Sequence, residues 1–325
     1  MRPERSRFLI LAPFLVLLTV ATCRHVQRSD DLLAAVRTGS AEEPGTFPTT
    51  WISGKNCETE PKFQVHRYSD GLFIIRQSKC EIYEAPFMYL IFGDDRALLM
   101  DTGSNPRSPV AEVVDETIAS WCAENGRDSI PLVVAHTHSH GDHVQGDAQF
   151  DGRAGVAQLV GTSQDEVEEF WQFEDFPNDV PTIDLGGRVI DVLGTPGHQP
   201  QSVTLYDRKT RVLMTGDIVY PGHLFVFSAA DWPIFVASLE RMTKWAAEHP
   251  VEWVLGCHIE FSDEAFQSYE YGKVYHPNEH PLQFEPTVLK KILDASLAMK
   301  GDPVSQVFDE FVLHMVYKDG IRWNP

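Results

Sequence analysis

The sequence predicts an α/β (α+β) fold, and three observations support that prediction. Short apolar runs have the length of buried strands, at residues 72–75, 88–92, 96–100 and 131–135. Two longer segments, residues 105–122 and 234–247, carry apolar side chains at helical spacing. A histidine-rich loop directly follows the run at 131–135, so polar side chains stand at the end of a buried strand.

The elements follow one another in a simple order. The first three strands are consecutive, and Gly93-Asp-Asp95 supplies the turn between the second and the third. The first helix, the strand at 131–135 and the histidine loop come next. The remaining elements are a strand near 156–160, a helix near 163–171, strands that begin at Val189, Val203 and Val212, and the helix at 234–247, which Pro250 ends.

The loop His136-Thr-His-Ser-His-Gly-Asp-His143 is the most informative stretch of the chain. It places His138, His140, Asp142 and His143 within six residues. Imidazole and carboxylate are ligands of Zn²⁺ in proteins. Because alternate residues of an extended segment point the same way, His138 and His140 can share one metal. Asp142 and His143 then face a second one, so the pattern predicts two adjacent metal ions.

The H-x-H-x-D-H pattern after an apolar strand resembles the metallo-β-lactamase superfamily. Four further segments match motifs of that family in the expected order: Leu99-Met-Asp-Thr-Gly103, Thr195-Pro-Gly-His198, Thr215-Gly-Asp217 and Leu255-Gly-Cys-His258. The resemblance covers about residues 49–262. It implies a four-layer αββα sandwich domain over that range, with metals at one edge of the sheets.

The resemblance also implies a ligand set. The first zinc takes His138, His140 and His198, the second takes Asp142, His143 and His258, and Asp217 bridges them. Asp101 supports the loop from behind the ligands. His136 is either a donor behind the ligands or a partly buried polar residue. Two Zn²⁺ ions are the expected cofactors, with iron or manganese as alternatives.

The composition narrows the choice of partners. Acidic residues outnumber basic ones 47 to 27, which gives a formal charge of −20. A surface this acidic repels phosphate backbones, so no nucleic-acid partner is expected. The expected partner is a small-molecule substrate, and the sequence leaves the oligomeric state open.

The N-terminal residues are typical of a targeting segment. Three arginines precede the apolar stretch from Phe8 to Thr22, which is short of the about 20 residues that span a bilayer comfortably. Residues 1–23 are therefore expected to be a signal peptide or N-terminal anchor, with Cys23 a candidate for lipidation, and residues 24–48 a flexible linker. The protein is expected to be exported (periplasmic, secreted or membrane-anchored), with membrane contact only through this segment.

Three interpretations concern cysteines. In an exported protein Cys57 and Cys80 can form a disulfide, and two reduced thiols are the alternative. Cys122 lies in a helical stretch and is expected to be buried packing. Cys257 is adjacent to His258 and points to the opposite side of an extended segment, so packing is favoured over metal ligation.

Residues 263–325 are expected to form a C-terminal helical extension, with amphipathic helices at 285–299 and 304–316. This extension either covers the active site or packs on the sandwich. Two segments are candidate substrate walls: Glu84-Ala-Pro-Phe-Met88, and Pro221–Phe227, which could line an apolar acyl pocket.

The predicted chemistry is hydrolysis. Two zinc ions can share a hydroxide that forms near neutral pH, and the Asp142 carboxylate would orient it. Tyr220 follows Asp217 by three residues and resembles the arrangement in acyl-homoserine-lactone hydrolases, where a phenol can donate to the developing oxyanion. A sheet-edge aromatic is the other interpretation of Tyr220.

The leading functional hypothesis follows from Asp217. A carboxylate at this position resembles glyoxalase II-like thioesterases and lactonases, which favours a dizinc hydrolase that cleaves an ester, lactone or thioester with a metal-bridging hydroxide. The alternatives are β-lactam hydrolysis, iron-dependent sulfur or oxygen redox chemistry on the same fold, and a binding-only role.

Overall fold

A computed structural model describes residues 45–299 and 301–320 of the chain. Two six-stranded sheets carry the fold, in the spatial orders β1-β2-β3-β4-β5-β6 and β13-β12-β10-β9-β8-β7. The strands of the first sheet are β1 Phe63–Ser69, β2 Leu72–Gln77, β3 Phe87–Phe92, β4 Ala97–Met100, β5 Leu132–Ala135 and β6 Val156–Leu159. Those of the second are β7 Thr182–Asp184, β8 Val189–Gly194, β9 Val203–Asp207, β10 Val212–Gly216, β12 Trp253–Gly256 and β13 Gln283–Phe284.

A third, small sheet has the order β11-β15-β14, formed by β11 His223–Val226, β14 Gln306–Val307 and β15 Val312–Met315. The helices are α1 Val110–Glu124, α2 Gly141–Val144, α3 Gln164–Trp171, α4 Asp231–Glu248, α5 Thr287–Ala298 and α6 Val316–Asp319. No helix of the described residues is both long and apolar enough to cross a membrane.

Three apolar clusters define four layers. Because strand side chains alternate between faces, Tyr89 and Ile91 of β3 point into the cluster between the two sheets, whereas Leu90 and Phe92 point to the outer face. That outer face packs against α1. On the far side, the second sheet packs against α4 and α5. Strands covered on both faces are apolar throughout, which confirms the predicted αββα sandwich.

Most of the predicted elements are present, and two differ. The first helix begins at Val110 rather than residue 105, because Pro106 and Pro109 occupy the preceding turn and Pro109 is the helix N-cap. The helix expected at 304–316 is wrong, since that stretch forms β14 and β15. All four residues of β15 are buried, and the strand pairs in parallel with β11. The periodicity of so short an apolar run cannot distinguish a helix from a strand.

The C-terminal extension therefore combines a helix with strands. Its helix α5 contributes Leu289 and Ile292 to the apolar cluster that includes Phe235 of α4. The strand β13 adds to the edge of the second sheet beside β12. The intervening residues 263–282 include few regular elements, and Tyr271 among them reaches the cavity described below.

The predicted segment at 1–23 and most of the predicted linker lie outside the described residues. The last linker residues are described and contact the sandwich. The Thr46 N–H donates to the carbonyl of Tyr68, and the Phe47 ring lies 5.1 Å from that of Tyr68. The predicted disulfide between Cys57 and Cys80 is present, while Cys122 is a buried free thiol.

Candidate metal centre

The site is built from strand ends at one edge of both sheets. In the first sheet β4 and β5 run parallel, so Asp101 after β4 and the histidine loop after β5 emerge at the same edge. In the second sheet β10 and β12 run parallel, so Asp217 and His258 emerge side by side. Buried parallel strands thus give the polar side chains a rigid base.

The first donor group consists of His138, His140, His198 and Asp217, whose donor atoms all lie within 4.8 Å of one another. The Nδ1 atom of His140 lies 3.0 Å from Nε2 of His138 and 2.9 Å from Nε2 of His198. The Asp217 carboxylate lies 3.7 Å from His138 and 3.8 Å from His198. Three ring nitrogens and one carboxylate oxygen therefore converge on a single point.

The second donor group consists of Asp142, His143, Asp217 and His258, within the same mutual distance of 4.8 Å. The Asp142 carboxylate lies 3.2 Å from Nε2 of His143 and 3.1 Å from Nε2 of His258. Asp217 lies 3.3 Å from His143 through one oxygen and 3.4 Å from His258 through the other. Asp217 belongs to both groups, so the structure brings all seven sequence-predicted residues together.

Hydrogen bonds from behind fix the orientation of the rings. Three histidines are bonded through Nδ1 to an acceptor: His143 to Asp101 at 3.0 Å, His198 to the Phe225 carbonyl at 3.1 Å, and His258 to the Glu84 carbonyl at 3.0 Å. A neutral ring that donates from Nδ1 presents the lone pair of Nε2 to the opposite side. These acceptors therefore point the Nε2 lone pairs toward the donor groups.

Asp101 is the hub of this support. Its carboxylate accepts the backbone N–H of Thr137 at 2.8 Å and the Thr137 hydroxyl at 2.9 Å, besides the ring of His143. Asp101 is completely buried and has a φ of 69°, in the left-handed region that costs a non-glycine residue free energy. The predicted role of Asp101 behind the ligands agrees with this geometry. His136 lies beside Asp101, with Nδ1 4.0 Å from that carboxylate and Nε2 3.3 Å from the carboxylate of Asp147.

The electrostatics suit cation binding. Burial lowers the pKa of His138 well below its ordinary value and that of His198 to about 4. Burial opposes ionisation of Asp142 and Asp217, but facing His143 and His258 hold both carboxyl pKa values well below their ordinary range. Burial lowers the pKa values of His143 and His258, but the facing carboxylates Asp142 and Asp217 raise them well above the ordinary value, so a metal bound here would displace protons from these two rings. Imidazole nitrogens and ionised carboxylates that converge in a buried space are the donor set that a divalent cation satisfies, and the residues present therefore fit a metal pair.

Cys257 completes a third cluster with Asp101 and His143. Its thiol lies 3.5 Å from the Asp101 carboxylate, and burial followed by that carboxylate raises the pKa of the thiol. A thiol that stays protonated packs and donates weakly, in agreement with the interpretation from the sequence.

A cavity of about 230 Å³ opens over the donors. Its wall includes Glu84 and the rings of Phe225 and Phe227, from the two predicted wall segments. It also includes Tyr83, Glu260 and Tyr271, which sequence reasoning missed. Alternation from His258 could have revealed Glu260, since residues two apart on an extended segment share a face. Nothing local distinguishes Tyr83 and Tyr271, whose rings meet at 4.6 Å only through tertiary packing.

Tyr220 also lines the cavity, with its ring centroid 5.5 Å from that of His258. The side chain is 1% exposed, and its hydroxyl donates to the backbone carbonyl of His223. The phenol is therefore beside the second donor group, with its proton directed at the protein backbone.

Comparison with known proteins agrees with this geometry. The family model described as the metallo-beta-lactamase superfamily matches residues 84–248. The chain belongs to the metallo-β-lactamase superfamily. This matched range contains every predicted donor except His258.

Several relatives in this superfamily are hydrolases. The chain is 27% identical over 224 residues to the acyl-coenzyme A thioesterase MBLAC2 of Bos taurus, an alignment that covers 58% of this chain and 78% of that protein. It is 26% identical over 136 residues to a hydroxyacylglutathione hydrolase of Chelativorans sp. (strain BNC1), covering 41% and 50% of the two chains. A solved metallo-beta-lactamase from Pontibacter korlensis aligns with a TM-score of 0.47 at 16% identity, over 72% of this chain and 99% of that one. The thioesterase and hydroxyacylglutathione hydrolase relatives indicate that this member of the superfamily is a hydrolase with a metal-binding His/Asp cluster.

Proposed function

We propose that the protein is a dizinc-dependent hydrolase that cleaves a small-molecule thioester. The observation that carries the proposal is that Asp217 belongs to two donor groups at the floor of one cavity. Its thioester specificity is supported by relatives named as acyl-coenzyme A thioesterases and hydroxyacylglutathione hydrolases, because both named substrates are thioesters. Esters and lactones remain in the same proposed class, since they expose the same carbonyl to attack.

Each donor group would hold one ion of the metal pair. His138, His140 and His198 would hold one ion, and Asp142, His143 and His258 the other, with Asp217 shared. When bound, such a pair supplies a water that ionises near neutral pH and a positive charge to polarise a carbonyl. Iron or manganese could occupy the same nitrogen and oxygen donors, so the metal identity is part of the test.

The chain's own residues set the direction of attack. The ionised Asp142 carboxylate, at the cavity floor, would accept a hydrogen bond from the attacking water and orient it. The Tyr220 hydroxyl would turn from the His223 carbonyl to donate to the oxygen of the scissile carbonyl as negative charge develops there.

The leaving group also favours a thioester. A thiol ionises near a pKa of about 8.5, so a thiolate leaves at neutral pH without a proton donor. β-Lactam antibiotics, by contrast, carry a carboxylate near the scissile amide. The described residues that line the cavity include no lysine or arginine to receive that carboxylate.

The test is a substrate panel run on metal-free and zinc-restored protein. The panel holds an acyl-coenzyme A, a hydroxyacylglutathione, a lactone, a phosphoester and a chromogenic cephalosporin. We expect zinc-dependent turnover that is highest on the thioesters. Equal turnover without metal would contradict the proposed chemistry. Faster turnover of the cephalosporin than of every thioester would assign the protein to β-lactam hydrolysis instead. Hydrolysis restored by iron but not by zinc would contradict the assignment of zinc as the metal.

We propose further that the protein is exported. The basic and apolar residues of segment 1–23 support this, and so does the Cys57–Cys80 disulfide, because disulfides persist in oxidising compartments. Expression of the full chain followed by fractionation and N-terminal sequencing tests the proposal. A mature chain that starts near residue 24 outside the cytoplasm is expected, and an uncleaved cytoplasmic chain would contradict it.

A further inference from the structure

A second, larger hollow adjoins the metal centre. A groove of about 870 Å³ runs between α3 and α4, and it shares His140, His198 and Phe227 with the cavity over the donors. The Phe227 ring stands at the junction, 5.3 Å from the ring of His140 and 5.4 Å from that of His198. The groove is therefore continuous with the place where a scissile carbonyl would sit, on the side of the first donor group.

One face of α4 forms a wall of the groove. Ile234, Ala237, Ser238 and Arg241 line it, at the spacing of residues that share a helix face. A rise of 1.5 Å per residue makes the distance from Ile234 to Arg241 about 10 Å. Ile234 is 43% exposed, and Ala237 is also exposed. Apolar side chains on this face of α4 are therefore open to an occupant.

Segments outside α4 also give the groove apolar surface. Its lining includes Phe176, Pro177, Pro196 and Pro200. Proline and aromatic rings offer rigid apolar surface without unsatisfied donors. An occupant of this groove would therefore be bound chiefly by burial of its own apolar surface.

The polar groups of the groove already have partners. Gln164 donates to Glu168 at 2.6 Å, and the Ser228 hydroxyl donates to Asp231 at 2.6 Å. Arg241 donates to the Gly194 carbonyl at 2.8 Å. Among the described residues that line the groove, two carboxylates face one arginine, so the anionic thiol arm of a coenzyme A or glutathione ester is disfavoured here.

We infer that this groove binds the apolar acyl chain of the thioester substrate, with the thiol arm leaving through the cavity on the side of Tyr83 and Tyr271. The inference rests on the proposed function and deepens it. It makes the protein selective for acyl chains long enough to reach past Phe227 along α4. Ala237, small and exposed halfway along that wall, leaves the room in which the chain lies.

The test uses the zinc-loaded full chain and N-acetylcysteamine thioesters with acetyl, butanoyl, octanoyl and hexadecanoyl chains. Because burial of one methylene contributes about 0.8 kcal/mol, we expect kcat/KM of the wild type to rise roughly two- to fourfold for each methylene that enters the groove. Ala237→Trp fills the groove and should lower the ratio of octanoyl to acetyl kcat/KM at least about tenfold. The same ratio with coenzyme A thioesters shows whether the thiol arm alters it.

Ala247→Trp is the matched control. Ala247 is an exposed alanine of the same helix outside the groove, so its variant should keep the wild-type ratio. Ile234→Asn is a second variant, which should lower the same ratio without filling the groove. An unchanged ratio in both Ala237→Trp and Ile234→Asn would overturn the inference, as would a wild-type kcat/KM that does not rise from the acetyl to the octanoyl thioester. If the wild type hydrolyses no thioester of any chain length, the proposed function fails instead.

Discussion

The donor cluster and the wall above it are held in different ways. The donors follow strand ends, and hydrogen bonds to groups such as Asp101 and the Glu84 carbonyl fix their rings. The wall depends on residues 263–282, here called the entrance segment, which contain few regular elements and supply Tyr271. A buried ion pair fixes this segment, since the two terminal guanidinium nitrogens of Arg76, on β2, donate to the Glu279 carboxylate at 2.5 and 2.7 Å.

This difference separates chemistry from specificity. Strands of both sheets hold the donors in position, so the ability to bind metal would persist if the entrance segment changed. Glu279 is the centre of the buried charged contacts of the entrance segment, since Nδ1 of His276 lies 3.3 Å from it and Nζ of Lys79 4.0 Å. Backbone hydrogen bonds, such as that from the His276 N–H to the Ser53 carbonyl, supplement these contacts. Damage to the donors should therefore abolish turnover and leave the fold, whereas damage to the ion pair should loosen the wall and leave the chemistry.

The largest effect is expected from Asp217→Ala. Loss of the carboxylate common to both donor groups should lower kcat/KM on the best thioester by about 10⁴-fold or more, because two sites lose a ligand together. His140→Ala should behave similarly. Asp128→Ala, at an exposed position that is neither a donor nor part of the cavity lining, is the control. Steady-state kinetics with a parallel zinc determination measures the effect, and wild-type turnover in Asp217→Ala would refute the assignment.

Glu279→Gln should have the next largest effect, on stability. It leaves the completely buried Arg76 guanidinium without its counter-charge, and loss of one partner of a buried pair costs about 3–5 kcal/mol. Asp294→Asn, which breaks the exposed pair between Lys290 and Asp294, should change the free energy of unfolding by under about 0.5 kcal/mol. Urea unfolding compares the two, and similar small losses would show that the ion pair does not hold the segment.

The same pair gives a pH dependence. Burial alone would raise the pKa of Glu279, but Arg76 and then His276 lower it from 4.5 to about 2. The contribution of a carboxyl with a depressed pKa is complete above its unfolded value and is lost as pH falls through the folded one. The stability gap between wild type and Glu279→Gln should therefore be widest above about pH 4.5 and shrink toward pH 2, as urea unfolding at several pH values would reveal.

Tyr220 lines the cavity beside the second donor group, so Tyr220→Phe tests whether a wall residue takes part in the chemistry. If the phenol donates to the substrate oxygen, kcat should fall about 100-fold with little change in KM. Tyr206→Phe is a matched control, because that buried hydroxyl also donates to a backbone carbonyl, of Pro250 at 2.7 Å, away from the cavity. Both variants should lose about 1 kcal/mol of stability. Equal kcat values for the two variants would reduce Tyr220 to a structural role.

The smallest effect is expected from Asp101→Asn. This change keeps the volume and weakens the acceptor behind His143, and loss of such an orienting carboxylate typically costs 10–100-fold in metal affinity. Zinc competition against a chelator measures it, with Asp128→Asn as the control. An unchanged affinity would mean that the sheets alone position His143.

The difference between regular strands and irregular segments also explains which site residues could be predicted from the sequence. Donors such as His138 and His198 follow strands whose apolar runs are visible, and family motifs supplied the distant partners. Tyr83 and Tyr271 lie in irregular segments that meet only in the folded chain, so no local pattern distinguished them. The run Val312–Met315 is a strand rather than part of the predicted helix because it pairs with β11 and β14, and neither pairing is visible in the local sequence.

The most direct test of the central claim is a zinc titration of metal-free protein, followed by calorimetry and by thioesterase activity in the same samples. Seven converging donors with one shared carboxylate predict two bound zinc ions per chain, with activity rising to its maximum as the second site fills. Saturation at one ion per chain, or full activity before any zinc is added, would contradict the account.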